Sequence, residues 1–181
     1  SLLAELDGLY HYFYGKDKVP GKLEPGNPSY ELAFSSVGIV DYLVSLGEHV
    51  GSTGSRRDKL LAAFEVIARQ EDVLTDRLLA YLAGRNDVRI IGVATNRESM
   101  RMPTIAFKID GQDSGAFTRE MDKYGIAIRF GDFHTRRLIE DLGEDSDNGV
   151  IRVSMLHYNT LEQVDRLCKA FAEISDRNGT V

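Results

Sequence analysis

The 181-residue chain has few features of extracellular, metal-binding or nucleic-acid-binding proteins. One cysteine excludes an internal disulfide framework and favours a reducing compartment such as the cytoplasm. A formal net charge of −6 argues against nucleic acid as the main partner. The four histidines have no metal-ligand spacing, and no apolar run is long enough to span a bilayer. The hydrophobic content of 43% is enough for a substantial core.

The first part of the chain is predicted to be a loop followed by an apolar helix. Residues 8–27 contain four glycines and two prolines around an aromatic cluster, which predicts an irregular segment that leans on another surface. A helix is then predicted with Asn27 as N-cap, Pro28 in the first helical position and an end near Gly47. Its apolar residues predict a largely buried helix.

A second, longer helix is predicted after a flexible connector at 51–54. Ser55 and Asp58 have the spacing of a capping box, and Gly84 closes the helix. At this length the helix can link two lobes. The predicted core face comprises Leu61, Phe64, Ile67, Ala68, Leu74, Leu78 and Leu82.

Beyond Gly84, short alternating elements predict an α/β lobe of the α+β type, a small sheet covered by helices. Their order is β-β-α-β-α-β-α. The predicted elements are strands at 88–93, 104–109, 126–129 and 150–156, and helices at 114–124, 135–142 and 161–174.

Two arginines inside apolar strands, Arg129 and Arg152, are the main candidate binding residues. Arginine is costly to bury in a strand without an anionic partner, and its planar fork suits a carboxylate. Strand alternation places Arg152 beside Ser154 on the face opposite the core residues. A solvent-facing arginine at a strand end is the commoner occurrence and remains the alternative for each of them.

Other polar residues have structural explanations beside functional ones. His134 follows Arg129 near a predicted helix start, where Asp132 is a candidate cap, so a structural role is as well supported as a chemical one. Asn27 opens a helix, where free N–H groups suit a phosphate, although a plain N-cap is the simpler interpretation. Thr160 caps the last helix, and Cys168 lies on an apolar helical face as a small hydrophobe.

Three segments carry a resemblance to a known family. They read LEPGNPS at 23–29, RFGDFH at 129–134 and IRVSMLHYNTLEQVD at 151–165. Together they resemble the C-terminal part of class V aminotransferases, in the cysteine desulfurase and selenocysteine lyase branch of fold type I pyridoxal-phosphate enzymes. The resemblance implies a small α-amino acid substrate, pyridoxal phosphate in the intact enzyme and a homodimer.

The resemblance assigns roles to individual positions. It implies that Arg152 grips the substrate α-carboxylate and that Arg129 lies in the active-site loop. Asn27 stands where the family usually has a threonine that contacts the cofactor phosphate of the neighbouring subunit; its amide still donates a hydrogen bond. His134 stands where desulfurases carry a catalytic cysteine, and imidazole forms no stable persulfide. His134 is therefore a candidate acid or base, and desulfuration by the usual route is doubtful.

The family's Schiff-base lysine has no match, because none of the seven lysines follows a histidine. The resemblance therefore implies a fragment, inactive alone: 1–54 as the tail of the large cofactor-binding domain, 55–84 as a linking helix and 85–181 as the small domain. The competing hypothesis is a stand-alone module that binds a small molecule such as an amino acid through the 88–174 lobe.

Overall fold

The computed structural model describes residues 2–8, 15, 17, 21–24, 26–95 and 101–178. The predicted aromatic cluster Tyr10, Tyr12, Phe13 and Tyr14 lies outside them. The helices are α1 (Leu2–Glu5), α2 (Tyr30–His49), α3 (Arg56–Ala83), α4 (Ser114–Lys123), α5 (Arg136–Asp141) and α6 (Leu161–Asn178), and the strands are β1 (Val88–Ile91), β2 (Thr104–Ile109), β3 (Arg129–Gly131) and β4 (Val150–Ser154).

The four strands form one antiparallel sheet in the order β1-β2-β4-β3. The predicted α/β class, with a small sheet and covering helices in the order β-β-α-β-α-β-α, is confirmed. The third strand was predicted at 126–129, but its ladder begins at Arg129 and ends at Gly131. Strand pairing depends on a distant segment, so apolar residues at 126–128 do not by themselves locate it.

The core lies on one face of the sheet, between the strands and three helices. Phe107 and Ile151 from the sheet are fully buried against Leu78 of α3, Phe117 of α4 and Phe171 of α6. The ring of Phe171 lies 4.7 Å from that of Phe117 and 5.8 Å from that of Phe107, measured between centroids. Burial of such aromatic side chains stabilises the lobe through both area and ring contacts.

Helix α2 departs from its predicted boundaries. Its N-cap is Ser29, whose Oγ accepts from the Leu32 N–H, and not Asn27, which lies outside the helix. The helix also continues through Gly47 to His49. A Cβ on Gly47 would lie 2.0 Å from the carbonyl oxygen of Lys59, so this glycine allows α3 to approach closely instead of ending the helix.

The prediction that α2 is largely buried is wrong for this chain. The residues Leu32, Phe34, Val37 and Ile39 are 53–81% exposed. Apolar residues surround the helix, but only Gly47 of α2 is fully buried, and its partly buried apolar residues are Val40, Leu43, Val44 and Leu46. An apolar composition favours burial of a helix, but burial also requires another surface that packs against it.

Helix α3 begins with the predicted capping box. The Ser55 N–H donates to Asp58 Oδ2 at 2.8 Å, and the Asp58 N–H donates to Ser55 Oγ at 3.3 Å. Leu74, Leu78 and Leu82 belong to the core as predicted, but Leu61 and Phe64 are about half exposed.

The chain divides into two compact units, Ser1–Ala63 and Phe64–Val181, and the division falls inside α3. The second unit contains the sheet and its core. No helix in the described part of the chain has both the length and the apolarity needed to cross a bilayer.

Candidate functional site

The two candidate arginines are direct neighbours across the sheet. Arg129 in β3 pairs with Arg152 in β4, and Arg152 pairs with Ala106 in β2. Paired residues in an antiparallel ladder project to the same face. Both guanidinium groups therefore belong to the face opposite the core, as their strand positions predicted, and two like charges lie side by side.

The loop after β3 leaves the sheet through a tight turn. A Cβ on Gly149 would lie 2.4 Å from Gly131 Cα, so the two backbones approach too closely for a side chain there. Asp132 Oδ1 then accepts from the His134 N–H at 3.0 Å, and the Asp132 carbonyl accepts from Thr135 N and Oγ1 at 2.9 and 2.6 Å. Asp132 thus closes this turn, and Thr135 is the N-cap of α5.

Two non-glycine residues in this turn have left-handed backbone conformations. Phe133 has φ 52° and His134 has φ 61°. Bulky residues rarely adopt this region, and each such residue costs about 1–3 kcal/mol. Strain of this kind persists where the surrounding hydrogen bonds enforce it, and it is concentrated at functional sites.

The strained turn carries an aromatic ring onto one of the arginines. Arg152 Cζ lies 3.8 Å from the centroid of the Phe133 ring, which is within cation–π distance. Arg152 Nε is buried and has no hydrogen-bond partner among the described residues. A buried guanidinium N–H without an acceptor is unusual, because the lost hydration is not replaced.

Cations elsewhere on the same sheet face have partners. Arg89 forms an ion pair with Glu144, and Lys108 Nζ donates to the Gly149 carbonyl at 2.8 Å. Burial lowers the pKa of Lys108. By contrast, the structure gives Arg129 a 3.4 Å bond to the Ile128 carbonyl, and neither site arginine forms an ion pair within the described ranges, although Asp132 lines the same depression. Arg129 and Arg152 are thus two adjacent arginines that lack the ion pair formed by Arg89.

The residues at 129–134 and Arg152 line an open depression of about 510 Å³. It brings together three predicted site residues, Arg129, Arg152 and His134, and His134 is exposed at its edge. A small anion such as a carboxylate matches the charge of this depression. Asn27 lies in the other unit, exposed ahead of α2, and its phosphate contact stays a prediction.

The remaining sequence hypotheses are structural. Cys168 is buried in the core, and burial raises the pKa of its thiol to about 11, which removes the thiolate needed for nucleophilic attack. Gln163 N–H donates to Thr160 Oγ1 at 3.3 Å and Thr160 N–H to Gln163 Oε1 at 3.2 Å, as the capping box predicts. No cluster of metal-ligating side chains occurs among the residues with described positions.

Phe133 is the site residue that sequence reasoning missed. Nothing in the local pattern distinguishes it from Phe130, which lies three residues before it in β3. Its role depends on the left-handed turn and on the distant strand that carries Arg152. The Gly-Asp pair before it was the available signal of a turn.

The described lysines do not fit a Schiff-base role at this site. Lys22 is buried and donates to the Ala4 and Leu6 carbonyls, and Lys59 and Lys123 are ion-paired with glutamates. Lys108 is bonded to Gly149, and Lys169 is exposed on α6. The residues around Arg152 therefore suit a carboxylate but do not supply a covalent attachment for pyridoxal phosphate.

The chain has the fold of part of two solved cysteine desulfurases. The cysteine desulfurase CsdA from Escherichia coli superposes with a TM-score of 0.63 and 22% identity over 87% of this chain and 33% of its own. An apo cysteine desulfurase from Thermococcus onnurineus gives a TM-score of 0.56 and 23% identity over 66% of this chain and 28% of its own. At such identities the likeness concerns the fold alone.

The chain belongs to the aminotransferase class-V family, whose model matches residues 60–167. It is 32% identical to the aminotransferase-like protein FGM3 of Gibberella zeae over 92% of this chain, and 32% identical to the cysteine desulfurase-like protein ustD of Aspergillus flavus over 96%. It spans 39% and 37% of the lengths of these relatives. Membership implies pyridoxal phosphate in intact enzymes of the family.

Proposed function

We propose that the intact protein is a pyridoxal-phosphate-dependent enzyme that acts on a small α-amino acid, and that Arg152 binds the substrate α-carboxylate. The observation that supports this is the buried, unpartnered Nε of Arg152 beside a second unpaired arginine. A carboxylate in the depression would accept from the terminal N–H groups of the Arg152 guanidinium and balance the two adjacent charges. In the proposed enzyme, the arginine fork fixes the direction in which the substrate's Cα bonds point.

The same proposal gives Arg129 and His134 secondary roles. Arg129, exposed beside Arg152, adds positive charge that favours an anionic substrate. His134, which lines the depression, is the proposed acid or base for the substrate side chain, because the two imidazole nitrogens can accept and donate a proton. An imidazole cannot form the persulfide of a desulfurase, so we propose a lyase or aminotransferase reaction without that step.

The proposed domain assignment follows from the family. Residues 1–54 would belong to the large cofactor-binding domain, 55–84 would link the domains, and 85–181 would form the small domain. The exposed apolar surface of α2 supports a partner surface outside this chain. In a homodimer, Asn27 would reach the cofactor phosphate of the neighbouring subunit. The single cysteine favours the cytoplasm as the compartment.

Titration of the 181-residue chain with L-alanine, followed by NMR at the arginine Nε–Hε groups, tests the carboxylate role. We expect saturable, millimolar binding that shifts the Arg152 signal, and at least about tenfold weaker binding by Arg152→Gln, because charge-assisted hydrogen bonds are lost. Arg119→Gln, which removes an equally charged but 68% exposed side chain from α4, is the matched control. Equal binding by Arg152→Gln and the wild type would refute the role.

A stand-alone amino-acid-binding module is the second candidate, supported by the complete core of the unit Phe64–Val181. The two candidates differ in affinity. A module must bind its ligand tightly without a cofactor, whereas a partial enzyme site holds only one end of the substrate. Calorimetric titration with amino acids that gives micromolar binding, abolished by Arg152→Ala, would favour the module.

A further inference from the structure

The contact between Phe133 and Arg152 has no assigned role in carboxylate binding. The ring lies 3.8 Å from Arg152 Cζ, and the residue that carries it is held at φ 52°. A side chain that only had to be exposed to solvent or packed in the core would not require this backbone conformation. The turn is held by Asp132, whose carboxylate and carbonyl accept three hydrogen bonds from His134 and Thr135.

We propose that Phe133 is a positioning residue that holds the Arg152 guanidinium for carboxylate binding by stacking on its face. This inference rests on the carboxylate role proposed for Arg152. A guanidinium covered on one face by an aromatic ring keeps its in-plane N–H groups free, and those groups form the bidentate fork. Stacking thus restricts the side chain without using the donors that the substrate needs.

The ring also offsets an electrostatic cost at the site. Arg129 and Arg152 are directly opposed across β3 and β4, and like charges in this arrangement repel. The negative face of the Phe133 ring attracts the Arg152 cation and keeps it near Arg129 before an anion arrives. An aspartate or glutamate at position 133 would do so more strongly, but it would compete with the substrate for the same N–H groups.

Substitutions of Phe133 can separate the backbone strain at this position from the binding of a carboxylate by Arg152. Phe133→Gly removes the ring and relieves the left-handed strain, because glycine adopts positive φ without a Cβ clash. Phe133→Leu removes the ring and keeps the strain. Phe133→Tyr keeps both the ring and the strain. A purely structural role predicts that binding follows stability in all three variants.

We expect L-alanine to bind Phe133→Leu and Phe133→Gly about 3- to 10-fold more weakly than the wild type, as the loss of a partly buried cation–π contact predicts. Phe133→Tyr should bind within about twofold of the wild type. The denaturation midpoint of Phe133→Gly should be unchanged or higher. Phe64→Leu, which makes the same change at a 55% exposed position in α3, should leave binding unchanged.

The outcomes separate the two proposals. If wild type and Arg152→Gln bind equally, the carboxylate role fails. If Arg152→Gln loses binding while Phe133→Leu and Phe133→Gly retain it, only the positioning role fails. One measurement does not depend on the folding of any variant: in the wild type, the ring current of Phe133 should move the Arg152 side-chain signals upfield of those of Arg129. Their absence from that position would contradict the stacking.

Discussion

Helix α2 is rich in apolar residues but exposed, whereas helix α6 has fewer apolar residues and buries them. Helix α2 is apolar around its circumference, yet Phe34 is 81% exposed. Helix α6 is polar on one side, and its other side buries Val164, Cys168, Phe171 and Ile174 almost completely. A helix with one apolar stripe can bury that stripe against other elements of its own unit, whereas a helix that is apolar all round needs further surfaces to pack against. The second unit is thus self-sufficient in its core, and α2 is not.

The largest change in stability is expected when one phenylalanine is removed from each of these helices. Phe171→Ala should lower the free energy of unfolding by about 3–5 kcal/mol, because the ring fills the centre of the core. Phe34→Ala should change it by less than about 0.5 kcal/mol, since the ring is exposed. Urea denaturation measures both. Comparable losses would mean that α2 is packed in solution.

Two glycines of α2 test the close backbone contact between α2 and α3. Gly47→Ala should destabilise the first unit by about 3 kcal/mol, because the new Cβ would meet the Lys59 carbonyl and the helices must separate. Gly38→Ala is the matched control: it has no neighbour within 4 Å and should stabilise the helix by up to about 1 kcal/mol. Hydrogen exchange of α2 and α3 amides reports each change. Greater protection in Gly47→Ala would contradict the contact.

The Cys168 thiol in α6 tests whether water is excluded from the core of the second unit. Burial raises the Cys168 pKa from 9.0 to about 11, so both states hold the neutral thiol below pH 9. As the pH rises from 9 to 11, the unfolded thiol ionises first, and the stabilising contribution is lost. The wild type should lose on the order of 2 kcal/mol relative to Cys168→Ala across this window. Parallel stability curves for the two proteins would show a hydrated thiol.

The smallest expected effect comes from the helix caps. Thr160→Ala removes half of a reciprocal capping box on the packed helix α6 and should cost about 1 kcal/mol in thermal or urea unfolding. Ser29→Ala removes two long, exposed hydrogen bonds, one accepted from the Leu32 N–H at 3.4 Å and one donated to Glu31 Oε2 at 3.3 Å, and should cost less than about 0.5 kcal/mol. A larger loss in Ser29→Ala would reverse the comparison.

Local patterns predicted most of the fold. The capping boxes at 55–58 and 160–163 depend on residues three apart, so they could be recognised without the tertiary structure. The face of Arg152 followed from strand alternation in the same way. The start of β3 could not be predicted, because its ladder with β4 joins segments separated by α5.

The candidate site was predicted only in part. Arg129, Arg152 and His134 were recognised from their types and from the family resemblance, and the structure brings them to one depression. Phe133 was missed because its contact requires a left-handed turn and a separate strand. The contrast between paired Arg89 and unpaired Arg152 was equally inaccessible, since it depends on which carboxylates fold close to each cation.

The sequence by itself determined the order of the elements, the capping boxes of α3 and α6, the burial of Cys168 and the strand face of Arg152. Each of these depends on side-chain type and on spacings of a few residues. Only the tertiary structure decided that Arg129 lies opposite Arg152, that Phe133 covers one of them and that α2 remains exposed. These features arise from long-range pairing and from the surfaces available for burial, which no local pattern encodes.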